Sequence, residues 1–350
     1  MSGRRARAVV ATPLSEELCA RIEQAEPRLE LVREQELLPP MRHPADFAGD
    51  PSFRRTPAQQ KRFDDLIDSA EVLYGIPDVD PTALARTVRS NSRLRWVQVM
   101  AAGGGSQVRA ARLTDSELRR VSFTTSAGVH GDPLAEFALF GLLAGAKSLP
   151  RLLDQQRRRE WSGRWAMGRL HGSTVLVLGL GGIGATVARL LGMLGVEIIG
   201  VSRHGRPVPH VDEVIPLDLL PQAAKRADAV VATLPGTDST ERLLDDEFFT
   251  ALHPGATFVN VGRGTVVDED ALVTALDTGQ VGLAVLDVTA TEPLPAESPL
   301  WTHPRVLLSP HTAALDPAED RRIADLFALN ASRYLDGQPL QNLVDIEQFY

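Results

Sequence analysis

The sequence predicts an α/β protein of two domains, each built on a doubly wound parallel sheet. Three observations carry this prediction. Short β-branched apolar runs alternate with amphipathic segments along nearly the whole chain. The runs are apolar at consecutive positions, as in strands covered on both faces. A chain of 350 residues is long enough for about two such domains. The first domain is expected to begin with residues 1–125, the second to span 126–315, and residues 316–350 to return and complete the first.

The elements follow in order. Ala8-Val-Val-Ala reads as a strand, residues 15–25 as a helix and Leu29-Glu-Leu-Val as a second strand. Residues 35–56, broken by Pro39, Pro40, Pro44 and Pro51, read as a long loop. Its Arg42 and Arg54 could reach an acidic substrate, although solvated loop charges explain them more simply. A helix over 57–70 leads to a strand over 71–75. The strand from Leu94 runs into Ala102-Gly103-Gly104-Gly105, a turn whose successive N–H groups could form an anion-binding nest. After a strand at Val121–Thr125, an apolar helix over 132–149 is expected to carry the chain into the second domain. Residues 155–169 are basic and contain Trp161 and Trp165, which suits a crossing helix buried at a domain or subunit interface.

From residue 174 the alternation is regular. Strands are expected at 174–180, 197–202, 229–235, 257–262, 282–288 and 306–311. Helices are expected at 185–194, 217–226, 245–252 and 268–277. A helix over 317–335 runs back, and 339–350 closes on the first domain.

A net charge of −8 argues against nucleic acid and anionic membrane as partners, and the apolar patch at 137–146 is too short to span a bilayer. The single cysteine, Cys19, reads as a small buried residue on a helix, permits no intrachain disulfide and fits a reducing cytoplasm. Arg4-Arg-Ala-Arg superficially suggests an export signal, but the apolar run ends at Pro13 before Ser15-Glu16-Glu17. A cytoplasmic protein is expected, and no metal-ligand pattern is read.

The chemistry is expected where strands end. Thr174–Leu178 passes directly into Gly179-Leu-Gly181-Gly182-Ile183-Gly184, the G-x-G-x-x-G spacing of a strand–turn–helix. There Gly179 allows the tight turn, Gly181 lets the backbone approach a pyrophosphate, and Gly184 lets the helix pack close. The helix-start N–H groups would then hold phosphates. The second strand ends in Ser202-Arg203 with no acid to hold ribose hydroxyls, a pairing suited to a 2′-phosphate. NADP(H) is therefore the first expectation and NAD(H) the second. The next strand ends carry Arg263 between Gly262 and Gly264, then Asp287 followed by Glu292, then His311. Arg, Glu and His on one edge of one sheet, beside the glycine turn, make a catalytic set. His253 and His303 precede prolines in loops, and His204 and His210 lie in a polar turn.

These motifs resemble the D-isomer-specific 2-hydroxyacid dehydrogenase family. The resemblance rests on Gly179-Leu-Gly-Gly-Ile-Gly, Asn260-Val261-Gly-Arg-Gly-Thr-Val-Val-Asp-Glu, Leu286-Asp-Val, Glu292-Pro-Leu-Pro, Ser298-Pro-Leu-Trp and Ser309-Pro-His. It covers nearly the whole chain and looks nearest to glyoxylate/hydroxypyruvate reductases, which also tend to show Ser-Arg after the second strand. It implies two Rossmann-like or flavodoxin-like domains, the second binding NAD(P), with an active-site cleft between them.

It further implies reduction of a small 2-keto acid. His311 would supply the proton, since histidine ordinarily titrates near neutrality. Glu292 would orient the imidazole, and Arg263 would clamp the substrate carboxylate or carbonyl. Backbone amides at Ala102 and Gly103 match the family's substrate loop, where Gly104-Gly105 replace a hydrophobic residue and an acid. Leu234, Pro235, Val261, Gly262, Arg263, Asp287, His311 and Ala314 would line the cofactor, and a homodimer through 132–149 is implied. Oxidation of phosphite, D-lactate or another D-2-hydroxyacid is open to the same residues. So is a non-catalytic NAD(P)-sensing scaffold of the co-repressor type. Formate oxidation is disfavoured, because those relatives carry glutamine where Glu292 stands.

Overall fold

Chain crossings after His130 and after Ala314 separate two units, Met1–His130 with Leu315–Tyr350 and Gly131–Ala314. The computed structural model describes residues 5–203, 205–347 and 349.

The first unit contains β1 (Ala6–Val10), α1 (Glu16–Ala25), β2 (Leu29–Val32), α2 (Pro57–Asp68), β3 (Val72–Tyr74), α3 (Pro81–Ser90), β4 (Trp96–Gln98), α4 (Gly105–Ala110), α5 (Asp115–Arg120) and β5 (Ser122–Thr124). Its strands pair in parallel in the order β2-β1-β3-β4-β5, the flavodoxin-like order. Helix starts are written in the sequence. Ser15 caps α1, Thr56 and Gln59 form a capping box before Pro57 on α2, Asp80 precedes Pro81 on α3, and Thr114 with Glu117 boxes α5. The C-terminal helix (Glu319–Leu335) packs back on this sheet, its Phe327 stacked 5.0 Å from Trp96 and edge-on 5.1 Å from Tyr74. Leu343 then bridges antiparallel to Thr124, so the final segment closes on β5.

Two expectations are corrected in this unit. Helices α3 and α5 lie outside the expected elements, and of the turn read at 102–105 residues 102–104 form a turn while Gly105 is already the first residue of α4. α4 buries Val108, and its N-cap Gly104 admits no side chain, since a Cβ there would lie 2.3 Å from Val99 Cγ1. The loop at 35–56 is irregular beyond the short 3₁₀ turn Gln35–Leu37. Its arginines are spent locally, Arg42 on Asp46 at 2.6 and 2.9 Å and Arg54 on the Phe53 carbonyl at 2.7 Å. Cys19 is fully buried on α1, and burial pushes its thiol up to about 11.

Glu26 ties this unit to its returning helix. The carboxylate accepts from Arg28 and from Ser332 Oγ at 2.7 Å, and the Arg28 hydrogen bond leads in holding its pKa down to about 2. The folded state thus binds fewer protons than the unfolded chain between its ordinary value and about 2. Its stabilisation is complete above about pH 4.5 and disappears as pH falls towards 2. Glu26→Gln is expected to cost about 1–3 kcal/mol at pH 7 and almost nothing at the acid end, read by thermal melts across pH.

The second unit contains α6 (Gly131–Ala146), α7 (Leu149–Arg158), β6 (Thr174–Leu178), α8 (Gly182–Gly192), β7 (Glu197–Val201), β8 (Glu213–Ile215), α9 (Leu220–Ala224), β9 (Ala229–Ala232), α10 (Asp246–Ala251), β10 (Ala256–Asn260), α11 (Glu269–Thr278), β11 (Val281–Leu286) and β12 (Val306–Leu308). All neighbours run parallel in the order β12-β11-β10-β9-β6-β7-β8, two mononucleotide-binding halves with one strand added. β9 and β10 are buried along their whole length, β9 being apolar at every position. The winding reverses between β6 and β9, and ligands of such sheets bind beyond the strand carboxyl ends at that point.

Three corrections apply to this unit. The chain crosses at His130, so α6 lies wholly in the second unit and does not itself carry the chain between units. The basic stretch 155–169 is not a crossing helix: α7 stops at Arg158, Arg159 turns left-handed, and 160–169 is irregular. Trp161 is fully exposed on this chain, and Trp165 lies beneath the Arg151 guanidinium at 4.1 Å. β8 also lies outside the expected elements, being a three-residue edge strand.

Candidate active site

β6 delivers the chain into the glycine turn. Gly179 has φ +94°, and a Cβ on Gly184 would lie 1.9 Å from the Gly179 carbonyl oxygen. Only glycine allows that turn and that close approach. Thr233, just past β9, donates its hydroxyl to the carbonyls of Leu178 and Gly179 at 3.0 and 2.8 Å and pins the turn from the neighbouring strand. Thr233 carries no sequence signature of this role.

The start of α8 fits a diphosphate. Gly181 stands at the N-cap with no side-chain cap, and a Cβ there would meet nothing within 4 Å. Open space therefore faces N–H donors that no side chain takes. α8 begins at Gly182, so Gly182, Ile183 and Gly184 supply its first turn. Ser202 and Arg203 follow β7, with the Ser202 N–H donating to the Ile215 carbonyl at 3.1 Å and Arg203 exposed. Leu234 is half-buried and Pro235 exposed after β9, and Val261 is buried after β10. Ala314 packs partly buried against the core beside α6.

β10 ends at Asn260, and Arg263 follows with an exposed side chain whose Nη1 donates to the Gly262 carbonyl at 2.8 Å. A Cβ on Gly264 would lie 1.9 Å from the Thr289 carbonyl carbon, so the arginine turn presses directly on the segment after β11. That segment holds Glu292. Its Oε1 accepts from the Thr289 N–H at 3.1 Å, and its Oε2 lies 2.7 Å from His311 Nδ1. His311 Nε2 makes no hydrogen bond to any described residue, and the side chain is 46% exposed.

Asp287, only 2% exposed, organises the histidine turn. Its Oδ1 accepts from the N–H groups of Thr312 and Ala313 at 2.9 and 3.0 Å, and its carbonyl accepts from His311 N–H at 2.9 Å. Arg263, Glu292 and His311 thus stand on adjoining strand ends of one sheet. Glu292 and His311 are in direct contact, and Arg263 is linked to them through the Gly264–Thr289 packing. Such a set can bind an anion at the guanidinium and transfer a proton at Nε2.

Ala102 and Gly103 belong to the other unit. Their N–H groups make no hydrogen bond to a described residue, while Gly104 and Gly105 are buried beside them in the chain. The remaining histidines have other company: His253 lies 3.4 Å from Asp228, and His303 Nδ1 accepts from the Arg305 N–H at 3.1 Å. His210 has φ +65°, and His204 lies outside the described residues. Among the described residues no group of three or more His, Cys, Asp or Glu could hold a metal ion.

Residues 139–313 match the model of the NAD binding domain of D-isomer specific 2-hydroxyacid dehydrogenases. The chain is similar to human glyoxylate reductase/hydroxypyruvate reductase, 33% identical over 226 residues, which cover 63% of this chain and 68% of the human protein. It is 35% identical over 176 residues to glyoxylate/hydroxypyruvate reductase A of Serratia proteamaculans, covering 49% of this chain and 55% of that one. Among solved structures, a D-isomer specific 2-hydroxyacid dehydrogenase from Xanthobacter autotrophicus in complex with NADPH and MES superposes with a TM-score of 0.78 at 29% identity. That match covers 99% of this chain and 100% of the other.

Proposed function

Because this chain belongs to the D-isomer-specific 2-hydroxyacid dehydrogenase family, we propose that it reduces a small 2-keto acid of the glyoxylate/hydroxypyruvate type, preferring NADP(H) to NAD(H). The enzyme class is an NAD(P)-dependent oxidoreductase acting on CH–OH groups. The observation that carries the proposal is the 2.7 Å His311–Glu292 pair, held on the same sheet edge as Arg263.

NAD(P)H, when bound, supplies the hydride that reduces the keto carbon. Gly181, Gly182, Ile183 and Gly184 would hold its diphosphate on their N–H groups, and Ser202 with Arg203 a 2′-phosphate. Arg263 pairs with the substrate carboxylate and orients the carbonyl. His311 donates the proton on Nε2 to the developing alkoxide, giving the 2-hydroxy acid, and regains it from water. Glu292 fixes the ring through Nδ1 and stabilises the imidazolium before transfer. The amides of Ala102 and Gly103 are proposed as carboxylate donors.

The direct test measures initial rates of NADPH and NADH oxidation with glyoxylate and hydroxypyruvate. Fast NADPH oxidation is expected. A preference for NADH would retain the enzyme class and remove the cofactor assignment, and no rate with any 2-keto acid would favour a scaffold. Arg203→Ala is expected to weaken NADPH by about 1–3 kcal/mol, or about 5–150-fold, with NADH little changed. Equal weakening of both, by fluorescence titration, would exclude Arg203 as the 2′-phosphate reader.

A homodimer through α6 and the segment after it is proposed from their exposed apolar residues, Phe140, Leu143, Leu153, Trp161 and Met167. Light scattering should return twice the chain mass. Among the described residues no helix is long and apolar enough to cross a membrane. A cytoplasmic location is proposed on the lone buried Cys19.

A further inference from the structure

We propose that Asn260 is a positioning residue for Arg263, setting substrate affinity more than cofactor affinity. This rests on the reading of Arg263 as the partner of the substrate carboxylate.

Asn260 is the last residue of β10 and is 1% exposed, an unusual place for an amide side chain. Both ends of the amide are used, and both on the turn that presents Arg263. Oδ1 accepts from the Gly262 N–H at 3.0 Å, and Nδ2 donates to the Arg263 carbonyl at 3.1 Å. These two backbone groups bracket the Arg263 backbone, which is held extended at φ −136° and ψ 139°. The β-ladder ends at Asn260, so the strand pairing itself offers these groups nothing. The side chain thus does for the arginine turn what neighbouring strands do for β10.

The main chain of Asn260 extends the same connection. Its carbonyl accepts from the Asp287 N–H at 3.0 Å, and Asp287 in turn binds the His311 turn. Gly264 then presses on Thr289, whose N–H is held by Glu292. Asn260 therefore sits where the arginine turn and the histidine–carboxylate pair share a support. Losing the amide leaves the Gly262 N–H without this partner and the Arg263 carbonyl with only the Val266 N–H at 3.3 Å, whereas His311 keeps its own bonds to Asp287 and Glu292.

The test is a double-mutant cycle in full-length protein with glyoxylate and NADPH. Asn260→Ala should raise the KM for glyoxylate by about tenfold, the equivalent of one lost hydrogen bond to a turn that must stay ordered. kcat should change less than KM, and the NADPH Kd several-fold less than the KM for glyoxylate. In an Arg263→Ala background, Asn260→Ala should add less than about twofold, since the group it positions is gone.

Asn260→Asp provides a nearly isosteric control should the alanine variant fail to fold. Its carboxylate can still accept from Gly262 N–H but cannot donate to the Arg263 carbonyl, so KM should again rise more than the NADPH Kd. Full multiplication of the two losses, or NADPH weakened as much as glyoxylate, would overturn the positioning role and leave Asn260 merely structural. An Arg263→Ala variant with unchanged glyoxylate kinetics would overturn the underlying reading of Arg263 itself, and is separately visible.

Discussion

His311→Gln is expected to lower kcat for 2-keto acid reduction by about 10²–10⁴-fold while NADPH still binds. The size follows from what the imidazole does and does not touch. The His311 side chain has one hydrogen-bond partner, Glu292 at Nδ1, and its Nε2 is unbonded to any described residue, so the substitution removes a proton donor and little packing. The turn survives because Asp287 holds it through backbone groups of residues 311–313. Glutamine can occupy the position and donate a hydrogen bond, but it cannot give up a proton. Stopped-flow traces with NADPH should therefore show normal binding and a slow chemical step. Unchanged turnover would remove His311 from the mechanism. Glu292→Gln should fall between the two proteins, since an amide can still orient the ring but cannot stabilise its charge.

What could be read from the sequence divides along a physical line. The strands of the second unit were legible because a strand covered on both faces must be apolar at every position, as Ala229–Ala232 is. The glycine turn was legible because positive φ and backbone contact leave no other residue, as at Gly179 and Gly184. Arg263, Glu292 and His311 could be proposed because polar residues following apolar strands stand out. Other features had no such signature. The bonds of Asn260, Thr233 and Asp287 go to backbone atoms, and a backbone partner leaves no mark in the sequence. α4 begins at Gly105, the last of a glycine run that propensity assigns to a turn, and the close approach of Gly104 to Val99 leaves no mark in the sequence. Trp161 and Trp165 suggested a buried helix by composition, whereas the left-handed Arg159 ends α7 before either is reached. α3 and α5 carried proper caps, Asp80-Pro81 and Thr114 with Glu117, and could have been found from them.

Arg263→Ala is expected to lower kcat/KM for glyoxylate by about 30–5,000-fold, the range for removing one partner of a close charge pair worth about 2–5 kcal/mol. The guanidinium is exposed, with one Nη donor on the Gly262 carbonyl, so its other donors can form a two-point contact with a carboxylate. Lysine should recover only part of the loss. It restores the charge, but a single ammonium cannot form the planar fork that fixes the carbonyl's orientation. KM should therefore recover more than kcat in Arg263→Lys. The opposite split would mean that the planar fork serves binding more than the transition state. Gly264→Ala offers an independent approach to the same site. Its Cβ would run into the Thr289 carbonyl and push the arginine turn away from the segment that carries Glu292. If Arg263 and the Glu292–His311 pair work on one substrate, that single methyl should damage both KM and kcat although it touches neither charged group. If only KM moves, the arginine turn and the proton-transfer pair act separately.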